Sequence, residues 1–377
     1  MTGLFVEIFM ISNSRTALVC FTGNSGLTDY SVSLARELLR LREVFFLTAE
    51  SYDEGKYGLG IPVQKLFRRT RHYPLDIFRF AWVVFRTRPH FVVFQSWLKI
   101  AFLDALFVRF FRIFGIRCII TIHDLLPHYP RRWSAVEMTF FYRSFDGAVV
   151  HSKRQAESLR ALGLNMPTLV VPHGVYDLFN TRGLTQPEAR QELPELSADK
   201  FTALFFGFLD HRKGIAEFVD AAVRMRELGD FQFVIAGKAE QRPVVLEALE
   251  RARGAGNVIV HDFTIRHEDV QRYFAACDVV VLPYLEGTTS GVLKLAMAFG
   301  KPIICTDIGD FPETLESWPG LMVDSRRLVD DLVAKLLMAR DRGTELFEQG
   351  ARHADDFRWD RIAQRYDEFV RSFEHEA

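Results

Sequence analysis

The sequence predicts an α/β protein of two doubly wound domains, and three observations carry that prediction. Strand-like and helix-like patterns alternate along most of the chain, the order that βαβ units and parallel sheets require. At 377 residues the chain is long for one ordinary hydrophobic core. A stretch rich in proline and polar residues, 176–200, interrupts the alternation near the middle and reads as a linker. The expected division is 1–178 for the first domain and 179–357 for the second. A final segment, 358–377, has helix periodicity at Trp359, Ile362, Tyr366, Phe369 and Phe373 and is expected to pack back on the first domain.

In the first half, the run TALVCFTG (16–23) reads as a strand. Asn24, Ser25 and Gly26 then lead into a helix over 29–41. Further strands are expected at 44–48, 61–67, 91–95, 118–122, 148–151 and 168–171, with helices between them. The second half gives strands at 202–206, 232–236, 257–261, 279–282 and 303–305. In doubly wound sheets ligands bind beyond the carboxyl ends of the strands, so the chemistry is sought in the loops that follow them.

One such loop is YLEGTTSGVLKLAMAFGKPIICTD, 284–307. Thr289 or Ser290 suits the N-cap of the apolar helix that follows. The first turn of that helix offers backbone N–H groups and the positive end of its dipole, which suits a phosphate. Glu286, a few residues earlier, is placed to accept hydrogen bonds from hydroxyls beside that phosphate. A second loop, FTALFFGFLDHRKGI at 201–215, puts Arg212 and Lys213 side by side between a strand and a helix starting at Gly214. An anion is the natural partner of a planar guanidinium fork and a mobile ammonium held together there.

The formal net charge is −1, so nothing global points to nucleic acid. Residues 61–145 nevertheless hold 14 Lys and Arg against 4 Asp and Glu, amid many Phe and Trp residues. That asymmetry suits an anionic lipid surface or an anionic substrate. The expected membrane contacts are Arg68, Arg69, Arg71, Arg79, Arg86 and Arg88, spread over a basic cluster and the aromatic helix after it. On the helix expected at 98–114, Lys99, Asp104, Arg109 and Arg112 scatter around the wheel, and burial on several sides is the favoured reading. The four cysteines form no CxxC or Cys/His cluster, which argues against structural zinc and a disulfide framework. No basic leader precedes the first apolar stretch, and no uncharged apolar run reaches 18 residues, so neither a signal peptide nor a membrane span is expected.

From about Thr16 onward the chain resembles the retaining glycosyltransferases of family 4. The motifs TGNSGLTDYSVSLAREL, TIHDLLP, VVHSKRQAESL, VVPHGVYDLF, FFGFLDHRKG and PYLEGTTSGVLKLAMAFGKPIICTDIG stand in the family's order. The resemblance implies the GT-B fold, two facing Rossmann-like domains with an interdomain cleft. It implies that Lys213, helped by Arg212, neutralises the donor diphosphate, and that Ser290 and Gly291 supply backbone N–H groups to it. Glu286 would bind hydroxyls of the donor sugar, His123 would sit near its anomeric centre, and Gly26 would let the first loop approach the phosphates. Asp124, His173, Thr289 and Lys294 complete the expected donor-binding set. Three positions depart from the family: Lys294 replaces a ribose-binding Glu, Phe208 a second diphosphate Arg, and His173 the usual Asn.

The implied activity is transfer of a hexose from a nucleotide sugar to a glycan or lipid-linked acceptor with retention, in cell-surface polysaccharide or glycolipid biosynthesis. No Asp-x-Asp motif occurs, and neither a metal nor a cofactor beyond the nucleotide-sugar donor is expected. A cytoplasmic protein, peripheral on the inner face of the membrane, fits the charge pattern. The departures keep two alternatives: a weak or inactive partner subunit of the same fold, and, further off, a nucleotide-sugar epimerase.

Overall fold

The computed structural model describes residues 12–58, 60–68, 70–96, 100–126, 132–287, 290–316 and 320–374. The chain divides into two compact units, Met1–Gly174 with Arg358–Ala377, and Val175–Phe357.

The first unit is a parallel sheet of seven strands: β1 (Ser12–Val19), β2 (Arg42–Ala49), β3 (Val63–Phe67), β4 (Phe91–Phe94), β5 (Arg117–Ile122), β6 (Gly147–Val150) and β7 (Thr168–Val170). Its spatial order is β3-β2-β1-β4-β5-β6-β7. Strands such as FVVF and GAVV are fully buried because helices cover both faces of the sheet, which is why they read as unbroken apolar runs. On one face Leu47, Phe94, Ile120 and Val150 pack with Phe80, Phe111 and Phe141 from the covering helices. The helix Trp359–Ser372 closes this unit, burying Trp359, Ile362, Ala363, Tyr366 and Val370. It is tied down by polar contacts as well. Tyr366 and Tyr30 hydroxyls lie 2.8 Å apart, and Arg42, wholly buried, donates to Asp367 at 2.6 Å.

The second unit is a parallel sheet of six strands: β8 (Phe201–Phe206), β9 (Phe231–Ala236), β10 (Val258–His261), β11 (Val279–Leu282), β12 (Ile303–Thr306) and β13 (Gly320–Val323). Its order is β10-β9-β8-β11-β12-β13. In both sheets the strand order reverses beside the first strand of the unit. That switch point lies between β1 and β4 in one sheet and between β8 and β11 in the other.

The structure corrects the sequence reading at four places. β1 starts earlier and ends at Val19, leaving Cys20–Ser25 as the loop. A Cβ on Gly23 would lie 2.3 Å from the Tyr52 nitrogen, so this loop is packed tightly onto the segment after β2. The stretch 176–200 is not a linker: it contains the helix Gln186–Gln191, and Tyr176, Ala189, Leu193 and Leu196 join the second core. β13 went unread because this edge strand, GLMV, is very short and only partly buried. The fourth correction concerns the helix Ala101–Ile113, which is not buried on several sides. It turns Phe102, Leu106, Phe110 and Ile113 to solvent, with Phe114 exposed just beyond it. All four cysteines are free and buried.

Candidate functional site

In the second unit the switch point brings together the two loops singled out in the sequence. The loop after β8 carries Arg212 and Lys213, and the loop after the neighbouring β11 carries Glu286. They are joined through the backbone: the Arg212 carbonyl accepts from Leu285 N at 2.7 Å and from Glu286 N at 3.3 Å. Asp210 shapes the first loop, with one oxygen accepting from Lys213 N at 3.1 Å and the other paired with Arg212 at 3.2 Å. Gly214 then turns the chain with φ 72°, and a Cβ there would lie 1.9 Å from the Pro283 carbonyl oxygen. No other residue type fits between the two loops.

Lys213 is largely desolvated, and burial pulls its pKa down, opposed by the Asp210 carboxylate. Its ammonium stands 5.9 Å from the Tyr284 ring centroid. The Tyr284 hydroxyl in turn lies 3.1 Å from Ser290 Oγ. Ser290 caps the helix Gly291–Ala298 by accepting from Leu293 N at 3.3 Å. The remaining N–H groups of that first turn have no intrahelical acceptor, and Gly291 carries no side chain over them. A largely desolvated cation near a helix N-terminus is an arrangement that can hold an anion. Glu286 is exposed at its rim.

Lys294 is placed differently. Its side chain is buried, with Nζ 3.3 Å from Thr314 Oγ1 and 3.8 Å from Asp310. Phe208 is exposed on the loop after β8. Thr289 lies outside the described residues.

The first unit gathers a different set. His123 follows β5, His151 follows β6 and His173 follows β7, and the three rings lie 4.8–5.9 Å apart around Tyr30. His123 Nδ1 is 3.3 Å from His151 Nε2, while His123 Nε2 is buried with no partner. His173 Nδ1 donates to the Gly174 carbonyl at 2.8 Å. Gln155 clamps two strand ends, accepting from His151 N at 2.7 Å and donating to the His123 carbonyl at 2.9 Å. Asp124 is partly buried, and its carbonyl accepts from Tyr142 at 3.4 Å. Gly26 begins the helix Gly26–Leu38, capped by Ser25.

Sequence reasoning assigned no role to His151, Gln155, Asp210 or Gln95. The first two stand inside the quoted motif VVHSKRQ, and their end-of-strand position was the available signal. Gln95, at the end of β4, is fully buried and both its amide atoms are unpaired. Among the described residues no group of three or more His, Cys, Asp or Glu side chains is arranged to hold a metal ion.

Burial, reinforced by neighbouring His151, holds the His123 pKa well below its usual value. The unfolded chain therefore binds a proton near pH 6.5 that the folded protein refuses. This contribution to stability is whole above pH 6.5 and is lost as pH falls below it, at about 1.4 kcal/mol per pH unit. Thermal unfolding followed from pH 7.5 to 5.5 should show the decline, and His123→Phe should flatten it.

The arginines proposed for the membrane divide. Arg68 is committed to Asp76, whose carboxylate it meets through Nη2 at 2.6 Å and through its own backbone N–H at 2.8 Å. Arg71, Arg79, Arg86 and Arg88 are exposed, and Arg69 lies outside the described residues. Beside them on the helix Tyr73–Thr87, Leu75, Phe78 and Trp82 are each more than 60% exposed. The helices Tyr73–Thr87 and Ala101–Ile113 adjoin, with Phe78 5.4 Å from Phe107 and Phe85 5.2 Å from Phe110. No helix among the described residues is long and apolar enough to cross a membrane.

Comparison with known proteins agrees with both sheets. Residues 25–174 match the family "Glycosyl transferase 4-like domain", and residues 200–340 match "Glycosyl transferases group 1". The chain belongs to the family 4-like glycosyltransferases of the GT-B class. It is 30% identical over 178 residues to the lipopolysaccharide core biosynthesis mannosyltransferase LpsB of Rhizobium meliloti, covering 46% of this chain and 49% of that protein. The chain spans about half the length, or less, of the curated relatives it matches first. The solved sucrose-phosphate synthase of Thermosynechococcus elongatus superposes with a TM-score of 0.75 at 19% identity, covering 97% of this chain and 100% of that one. Anabaena HepE, solved in complex with UDP, gives a TM-score of 0.75 at 16% identity, covering 95% of this chain and 100% of that one.

Proposed function

We propose that the protein transfers a hexose from a nucleotide-sugar donor to a glycan or lipid-linked acceptor, with retention and without a metal, in cell-surface polysaccharide or glycolipid biosynthesis. The observation that carries this reading is the junction of the Lys213 loop with the Ser290-capped helix. The leaving group is a nucleoside diphosphate, so stabilising its developing charge lowers the barrier most. Lys213 and Arg212 meet the diphosphate, Ser290 and Gly291 donate backbone N–H groups to it, and Thr289 completes the proposed donor set. Glu286 accepts from hydroxyls of the sugar. The roles proposed for His123, Asp124 and His173 concern the donor sugar, and the role proposed for Gly26 is to leave the first loop room for the phosphates. UDP bound to HepE supports a nucleotide donor, and the similarity to LpsB supports a saccharide acceptor in the cell envelope.

A thermal-shift screen of UDP, GDP, ADP and their hexose conjugates tests the donor, because a ligand held at 100 times its dissociation constant stabilises the fold by about 2.7 kcal/mol. No stabilisation by any of them would refute the reading. The product anomer reports retention, and turnover in EDTA reports metal independence. A second reading, a partner subunit with little turnover, is favoured by Lys294, which faces Asp310 and Thr314. Donor binding without hydrolysis or transfer would select it.

The first unit is proposed to sit on the cytoplasmic face of an anionic membrane. Arg71, Arg79, Arg86 and Arg88 supply attraction of up to about 1 kcal/mol each. Leu75, Phe78 and Trp82 supply apolar surface on the same helix. Vesicle co-sedimentation should show binding to anionic but not zwitterionic vesicles, weakened by salt and by reversing the charge of Arg79 and Arg86. Absence of binding at low salt would leave the basic surface to an anionic acceptor.

A further inference from the structure

The histidines of the first unit form a chain whose proton positions follow from its ends. His151 Nδ1 lies 3.3 Å from the Val171 carbonyl oxygen, which can only accept. That nitrogen therefore carries the proton, and Nε2 of the neutral ring holds the lone pair. His151 Nε2 lies 3.3 Å from His123 Nδ1, so His123 Nδ1 must donate. His123 Nε2 is then a bare acceptor, buried and unpartnered. Gln155 holds both backbones in this register, since its carbonyl oxygen must face His151 N and its NH₂ group the His123 carbonyl.

We propose that His151 is a positioning residue that sets His123 as the Nδ1–H tautomer, so that Nε2 accepts a hydrogen bond from a ligand hydroxyl. The direction matters because a phosphate oxygen, itself an acceptor, is repelled by that lone pair, whereas a sugar hydroxyl can donate to it. Two further features suit a neutral, hydroxyl-bearing group. The Tyr30, Tyr366 and Thr121 hydroxyls form a short chain beside the ring, at 2.8 and 3.0 Å. Gln95 ends β4 at the level of Thr121 on neighbouring β5, and its unpaired amide offers both a donor and an acceptor. Burial of His123 keeps the acceptor nitrogen unprotonated at neutral pH.

The tautomer chain stands on the geometry of the first unit alone, whereas the identity of the hydroxyl as the donor sugar's rests on the function proposed above. Nitrogen NMR of protein labelled with ¹⁵N-histidine tests the chain without any ligand. Both His151 and His123 should show a protonated Nδ1 and an unprotonated Nε2, the minority form for free histidine. His151→Leu should release His123 to the Nε2–H form, and His151→Gln, which keeps an acceptor where Nε2 was, should restore the Nδ1–H form. A protonated Nε2 on His123 in the wild-type protein overturns the proposal, as does an unchanged tautomer in a folded His151→Leu variant. The wild-type and Gln spectra decide the matter if the Leu variant does not fold.

The ligand half is tested with UDP and UDP-glucose, or GDP and GDP-mannose, whichever pair stabilises the fold. The sugar nucleotide should move the His123 Nε2 signal, and the bare nucleotide should leave it in place. A sugar nucleotide that binds without moving it overturns the hydroxyl assignment. Failure of every nucleotide to bind counts instead against the glycosyltransferase reading.

Discussion

Lys213→Ala is expected to lower kcat/KM for donor turnover roughly 30- to 150-fold, the equivalent of about 2–3 kcal/mol of transition-state stabilisation. The magnitude follows from what the side chain is and where it sits. A hydrogen bond to a charged group contributes more than a neutral one, and more again where water is excluded. Lys213 is largely desolvated beside Tyr284, so its charge is poorly screened. Arg212, more exposed and already paired with Asp210, should matter less, and Arg212→Ala serves as the comparison. The fold should survive, because Lys213 is held through its backbone N–H rather than its ammonium. A loss below tenfold with unchanged affinity for the nucleoside diphosphate would remove Lys213 from the phosphate site.

Gly214→Ala should be the most damaging small substitution in the second unit. Alanine at φ 72° costs about 1–2 kcal/mol in backbone strain, and a methyl 1.9 Å from the Pro283 oxygen forces the two loops apart for a further 1–3 kcal/mol. Gly229 is the matched control, since it has φ 75° but nothing within 4 Å of an added Cβ. Gly229→Ala should show the strain alone. For a unit of this size each kcal/mol lowers the melting temperature by about 2–4 °C, so the second transition should fall by roughly 5–15 °C in Gly214→Ala and by half that or less in the control. Equal shifts in the two variants would mean that the loops part without cost. Nucleotide binding should drop in Gly214→Ala alone, because that residue spaces Lys213 from the loop of Glu286.

What could be read from the sequence follows from how each feature is encoded. Strands buried on both faces, such as Phe91–Phe94 and Val279–Leu282, are continuous apolar runs and declare themselves. Ser290 as an N-cap and the Arg212-Lys213 pair are local in sequence, so their place at a strand-to-helix turn was legible as well. The pairing of their two loops was not, because it depends on the strand order that sets β8 against β11. The sequence put Lys294 in the expected donor-binding set but could not show its neighbours Thr314 and Asp310, which arrive from a later helix and its cap. The exposed apolar face of Ala101–Ile113 was hidden for a related reason: Asp104 is buried, and Arg109 and Arg112 bend to Ser144 and Asp146, so the charges do not mark the solvent face. His151 looked like a strand terminus until Val171 and His123 appeared on either side of its ring.

The helix Trp359–Ser372 has a consequence for how the molecule is made. The first unit is completed by residues translated after the whole of the second unit, since Tyr366 backs Tyr30 and Thr121, and Asp367 neutralises buried Arg42. The second unit is continuous, so a nascent chain can finish it while the earlier one still waits on the ribosome for its final helix. Until that helix emerges, Arg42 lacks its Asp367 counter-ion, and the seven-stranded sheet lacks part of its cover. A stop codon shortly before Trp359 would therefore leave the later-made unit whole and the earlier-made one unfinished.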